Sequence, residues 1–170
     1  MLKPNLLAAL NQQINEEYYS SYIYQAMVAY FEDNHLDGCA HWMRLQAAEE
    51  HEHALKIFDY VISRGGRVVL AAVQAPPKEW PSPQAAFEAA LAHEKLMTAN
   101  INKLADLAQS EKDHATNNLM QWYVTEQVEE EANVDDIVNK LKMVGGDGAG
   151  LFLMDRELKS RTVAAPGGAA

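Results

Sequence analysis

A single cysteine, Cys39, stands in 170 residues. It excludes an internal disulfide and every zinc or iron–sulfur site built from several thiolates. Glycine and proline are scarce, at 9 and 6 residues, too few for a low-complexity or collagen-like chain. No run approaches the roughly 20 apolar residues of a membrane-spanning helix. The start, MLKPNLLAAL, lacks the apolar stretch and small-residue cleavage site of a secretory leader. A cytoplasmic location without a membrane partner is therefore the default expectation. Positive charge is also in short supply: 14 Lys and Arg face 24 Asp and Glu, a formal net charge of -10. That balance argues against nucleic acid or anionic lipid and is compatible with cations. What the chain does have is 48% apolar residues, enough for one domain that buries roughly 70% of its unfolded surface.

The apolar positions recur with a helical period, and strand signals are nearly absent; only RVVLAAV (67–73) is compatible with an extended segment. A first helix starts at Lys3-Pro4-Asn5, with a seam through Leu7, Leu10, Ile14, Ser21, Tyr24, Val28 and Phe31. Steps of three and four mark a packed face. DNHLDG (33–38) breaks it. A second helix, from about Asp37 to Arg64, presents Cys39, Met43, Gln46, Glu50, His53, Ile57 and Tyr60, and Gly65-Gly66 ends it. The third, opening at PSPQAAF, presents Phe87, Ala90, Glu94, Met97, Ile101, Leu104 and Ala108. The fourth, from about His114 to Lys142, presents Met120, Tyr123, Gln127, Glu130, Val134, Ile137 and Leu141. GGDGAG stops it, LFLMDRELKS reads as a short fifth helix, and 161–170, ending in AAPGGAA, reads as a disordered tail after one domain over 1–160. The proline-bearing segment between the second and third helices is long enough to run the length of a bundle. The expected fold is therefore all-α: a four-helix bundle with one long crossover between helices 2 and 3 and a short C-terminal helix.

Acids interrupt all four seams. Glu17 falls between Ile14 and Ser21, and Glu50, Glu94 and Glu130 lie in the other three; His53 follows Glu50 by three residues and shares its face. Each acid lies within about three residues, or about 5 Å, of the middle of its helix. Helix midpoints meet in an antiparallel bundle, so these groups converge in one layer. Four bare carboxylates there would repel one another; a pair of divalent cations would neutralise them and use their lone pairs. Carboxylates with little imidazole and no thiolate suit iron or manganese. The Glu-x-x-His step in EEHEH is one such helix-bundle ligand pattern; EQVEEE in the fourth helix does not repeat it.

The stretches MLKP, YYSSYIYQAM, AAEEHEH, HEKLMTANINKLA, NNLMQWYVTEQVEEE and GLFLMDREL resemble a bacterial non-haem ferritin. The likeness spans nearly the whole chain, apart from the last ten or so residues and parts of 65–82. It implies a ferritin-like di-iron fold with Glu17, Glu50 and His53 at a first iron site, Glu50 bridging, and Glu94 and Glu130 at a second. Gln127 matches a polar residue of the centre. Glu49, Glu126 and Glu129, with Glu130 shared, resemble a third iron site. Tyr24 and Trp122 match aromatics that lend electrons. His51 and Glu52 read as a solvated face. Haem is not expected, because His51 stands where bacterioferritins place a methionine ligand and Glu130 where they place a second histidine. One cysteine cannot build the four-cysteine iron site of rubrerythrins.

The resemblance implies a ferroxidase and iron store. Fe(II) would be oxidised by dioxygen or hydrogen peroxide, and a ferric mineral would be laid down inside a cytoplasmic homo-oligomeric cage of 24 subunits. Asp113, His114 and Asn117 are candidates for iron access, although helix capping explains them equally well. Two rivals are a non-storage di-iron protein, such as a reversible oxygen carrier, and a bundle without metal whose acids face water. Outward tyrosines, Tyr18, Tyr19 and Tyr22, are candidates for a subunit interface.

Overall fold

The computed structural model describes residues 2–162; the expected tail lies outside the described residues from 163 onward. Among the described residues five helices occur in order: α1 (Pro4–Asp33), α2 (Asp37–Ser63), α3 (Pro83–Ser110), α4 (His114–Val144) and α5 (Gly148–Leu158). No strand occurs among the described residues, and RVVLAAV is part of the irregular crossover.

Local chemistry explains the boundaries. Pro4 and Pro83 open α1 and α3, where a missing N–H costs nothing. Ser82 Oγ accepts from Ala85 N at 3.1 Å and Asp113 Oδ1 from Thr116 N at 3.0 Å, capping α3 and α4. At the end of α2, Gly66 N donates to Val61 O and Gly65 N to Ile62 O, both at 2.9 Å, with Gly65 at φ 70. This is the double closure that a left-handed residue permits. Asp147 accepts from Ala149 N and Gly150 N, so α5 begins ahead of the apolar LFLM stretch.

Two apolar clusters fill the bundle, one toward each end. Leu6, Leu10 and Ile14 of α1 meet Ile57 and Val61 of α2, Ile101 and Leu104 of α3, and Met120 and Tyr123 of α4. At the other end Tyr24, Met27 and Phe31 meet Met43, Phe87, Val134 and Ile137, joined by Met154 and Leu158 of α5. The N-terminal half of α1 thus packs with the C-terminal halves of α2 and α3, so α2 and α3 run parallel, as a crossover along the bundle requires. Glu17, Glu50, His53, Glu94, Gln127 and Glu130 occupy the break between the clusters, and all are buried.

The fifth helix sits against the start of α2. A Cβ on Gly38 would lie 1.7 Å from the carbonyl oxygen of Asp155, so only glycine permits this approach. Asp155 Oδ1 accepts from Cys39 N at 2.9 Å, satisfying one of the free donors at the helix start.

Candidate metal centre

The four central acids come from four helices and lie almost wholly out of water: Glu94 is 1% exposed, Glu17 and Glu50 2%, and Glu130 4%. Their polar neighbours differ. Glu17 accepts from Gln13 Nε2 at 2.9 Å. Glu94 accepts from the Tyr24 hydroxyl on one oxygen and from Gln127 Nε2, at 3.2 Å, on the other. Glu130 Oε2 accepts from Gln46 Nε2 at 2.5 Å. Oε1 of Glu50 has no hydrogen-bond partner, the one such buried side-chain atom among the described residues. A buried acceptor left bare costs about 1–3 kcal/mol, and a cation beside it would remove that cost.

Burial, followed by mutual repulsion, raises the acids. Glu17 is held well above the ordinary carboxylate range by desolvation and then by Glu50; Glu50 by desolvation and then by Glu94 and Glu130. Glu130 is pushed up to about 8 by burial and then by Glu94. Glu94 rises by burial and is partly relieved by Tyr24 and Gln127. Without a metal, burial and mutual repulsion favour the protonated form of these acids.

Among the described residues the donor atoms gather in two groups. One ligand atom from each of Glu17, Glu50 and His53 falls within 4.8 Å of the others, and the same holds for His53, Glu126 and Glu130. His53 joins them: Nδ1 lies 3.5 Å from Glu50 Oε2 and Nε2 3.9 Å from Glu126 Oε1. The second group brings Glu126 to Glu130, while Glu94 stays engaged with Tyr24 and Gln127. Carboxylates plus one imidazole suit iron.

A ferritin-like domain model matches residues 7–144. The chain is 40% identical over 162 residues to the bacterial non-heme ferritin of Staphylococcus saprophyticus, covering 95% of this chain and 97% of that one. The chain belongs to the ferritin family. The bacterial non-heme ferritin of Escherichia coli O157:H7 is 39% identical over 160 residues, covering 94% and 97% of the two chains. Among solved structures, an open-pore ferritin from the hyperthermophilic archaeon Archaeoglobus fulgidus superposes with a TM-score of 0.94 at 50% identity, covering 95% of this chain and all of that one.

Around the centre of this ferritin, Trp122 stacks edge-on against His53, ring centroids 5.4 Å apart, and carries the Lys56 ammonium 3.9 Å above its own ring. Glu49 is half-buried and pairs with Arg161 at 2.6 Å; Glu129 is exposed. His51 and Glu52 are exposed, Tyr22 is exposed, and Tyr18 and Tyr19 are half-buried. Asp113 is committed elsewhere: both its oxygens accept from the Arg64 guanidinium, at 3.0 and 2.8 Å, and it caps α4. Arg64 holds its carboxyl well below the usual carboxylate range. That engagement weighs against Asp113 as an iron-access group.

Gln13, Gln46, Ser20, His93 and Arg161 are polar neighbours of the centre that the sequence does not mark as ligands. Ser20 Oγ and His93 Nε2 form a buried hydrogen bond at 2.8 Å beside Tyr24 and Glu94. Gln46 was on the seam of α2, and its place one turn from Glu50 was the available signal.

Proposed function

We propose that this ferritin oxidises Fe(II) at the buried carboxylate layer and stores the ferric product inside a cytoplasmic cage of 24 copies of itself. The observation that carries the reading is the partnerless Oε1 of Glu50, set among three other buried acids, the four coming from four different helices. Fe(II) is the substrate here. Two ions would be held by Glu17, Glu50 and His53 on one side and by Glu94 and Glu130 on the other, with Glu50 bridging. Glu94 would turn from Tyr24 and Gln127 to do so.

The reaction balances with this chain's own groups. Two Fe(II) ions each give up one electron. Dioxygen takes both, with two protons, to become hydrogen peroxide; or peroxide takes both, with two protons, to become two waters. Burial favours the protonated form of Glu17, Glu50, Glu94 and Glu130, so binding of the cations displaces protons from this layer, and those protons are available to the reduced oxidant. Anionic oxygen ligands favour Fe(III) over Fe(II) and so draw the oxidation forward. Of the two nearby aromatics, Tyr24 is the better electron source, since its hydroxyl is bonded to Glu94. The ammonium over Trp122 opposes positive charge on that ring.

Adding Fe(II) to the iron-free protein and admitting air tests the reading. Ferric absorbance should grow with turnover and iron should remain with the assembled protein. A stable oxygen adduct with no ferric accumulation would instead mark a reversible carrier. Loss of iron as free precipitate would remove the storage role.

A further inference from the structure

The strongest unexplained contact around the centre comes from the far end of the chain. Arg161, three residues beyond α5, folds back over α2. Its Nη2 lies 2.6 Å from Glu49 Oε2 and its Nη1 2.9 Å from Gln46 Oε1 and 3.3 Å from Trp42 O. The guanidinium also lies 4.5 Å above the Trp42 ring, and His41 Nε2 donates to the Arg161 carbonyl at 2.9 Å. Gln46 and Glu49 are one turn apart on the same face, so the planar fork of one arginine spans both. Neither end of the ion pair is fully wet: the Arg161 side chain is 19% exposed and that of Glu49 26%.

Two consequences follow for the acids. Glu49 already has a cation, and that cation cannot be titrated away, because a guanidinium stays protonated at any pH the fold survives. Among the described residues no other candidate ligand is paired with an arginine or lysine. The second consequence reaches deeper. Arg161 engages the oxygen of the Gln46 amide and so turns its Nε2 toward Glu130 Oε2, at 2.5 Å. One side chain thereby occupies Glu49 directly and Glu130 through Gln46. These are two of the four acids that resemble a third iron site.

We propose that Arg161 is a resident counter-cation of that third site, a latch which a third metal ion must displace before Glu49 is free to bind it. The proposal rests on the iron-site reading above and on the third site that the family resemblance implies. Because metal and guanidinium compete for the same oxygen, their binding is reciprocal: docked Arg161 weakens the third ion, and the third ion releases Arg161. The first two ions leave the Arg161–Glu49 pair in place: Glu17, Glu50, His53 and Glu94 do not touch the arginine, and Glu130 meets it only through the Gln46 amide, whose hydrogen bond an ion can replace. Arg161 is a positioning residue that sets the order of filling, with the pair first and the third ion last.

Zn(II), a divalent ion without redox chemistry, is the probe. The full-length apo protein is titrated calorimetrically as wild type, Arg161→Gln, Arg161→Lys and Glu49→Gln. Removing a charge-assisted bond should tighten the third ion by about tenfold in Arg161→Gln, with the first two unchanged. Arg161→Lys, which keeps the charge, should stay nearer the wild type. Glu49→Gln should lose the third ion. A spin label on Thr162→Cys (Cys39 is buried) should gain mobility at the third equivalent of Zn(II) in the wild type, and be mobile from the start in Arg161→Gln. Equal affinity for the third ion in wild type and Arg161→Gln, or a label unmoved by the third equivalent, overturns the latch while the third site stands. Absence of a third ion in every variant overturns the third site, and the latch with it. If Arg161→Gln weakens the first two ions as well, the arginine serves the fold of the centre and the latch is wrong.

Discussion

The middle of this bundle and its two ends are made of the same helices and obey opposite rules. At the ends, Leu6, Ile57, Ile101 and Met120, and Phe31, Met43, Phe87 and Ile137, are removed from water at a gain of roughly 1.5–3 kcal/mol for each fully buried side chain. In the middle, Glu17, Glu50, Glu94 and Glu130 are removed from water at a loss, and one acceptor is left with nothing to bind. The ends carry the stability that lets the middle be unstable. A layer of acids is held at fixed height because about two turns of apolar packing on each side leave the helices no freedom to slide or turn the acids outward. Function in this ferritin is a deliberate break in a core that is otherwise continuous.

Substitutions on the two sides of that boundary should separate activity from stability. Glu50→Ala, in the middle, should slow Fe(II) oxidation by about 100-fold or more, measured by ferric absorbance after mixing. The same change should leave the apo protein as stable as the wild type or more so, because it deletes a buried acid that has one oxygen without a partner and repels Glu94 and Glu130. A large loss of apo stability, with oxidation intact, would place Glu50 in the scaffold. Ile57→Ala, two turns along the same helix, should do the reverse. It should cost about 3 kcal/mol in urea unfolding and leave the rate per folded subunit unchanged.

Proton linkage distinguishes the two regions without a mutation. Glu130, ordinarily at 4.5, titrates at about 8 in the fold. Between those values the folded apo protein keeps a proton that the unfolded chain has lost, so stability falls as pH rises from about 4.5 to about 8 and levels off above. Glu17, Glu50 and Glu94 are raised too and act in the same direction. The apolar ends contribute no such slope. Urea midpoints of the apo protein at about pH 5 and about pH 8 should fall toward alkali. A saturating divalent ion should abolish or invert the trend, because bound carboxylates carry no proton. The smallest expected effect is that of Tyr24→Phe. Removing one hydroxyl from Glu94 should change the oxidation rate by about fivefold, while thermal stability, set by the retained ring in the apolar end, barely moves.

How much of this was legible in the residues follows the same divide. The ends are legible because apolar side chains at three-and-four spacing have one cheap resting place. The four central acids are legible because charge is conspicuous on an apolar stripe, and counting to each helix middle fixes their height. Gln46, Gln13 and the Ser20–His93 pair were not singled out: uncharged polar residues on a seam look the same whether they serve an acid or fill a gap. Glu126 and Glu129 carry no periodic signal apart from the family resemblance, and Glu129 is indeed exposed. Arg161 could not be found at all. It meets Gln46 across 115 residues of chain, in a stretch whose composition reads as tail, and only the close seat of α5 on Gly38 brings it there.

Anaerobic addition of Fe(II) to the apo protein in weak buffer, with released protons followed by pH-stat and bound iron counted in parallel, tests the central claim most directly. The account predicts that the first two ions per subunit bind with release of protons from the buried acids, and that Glu50→Ala loses both the binding and the release. Binding of two ions without proton release, or release unaffected by Glu50→Ala, would contradict it.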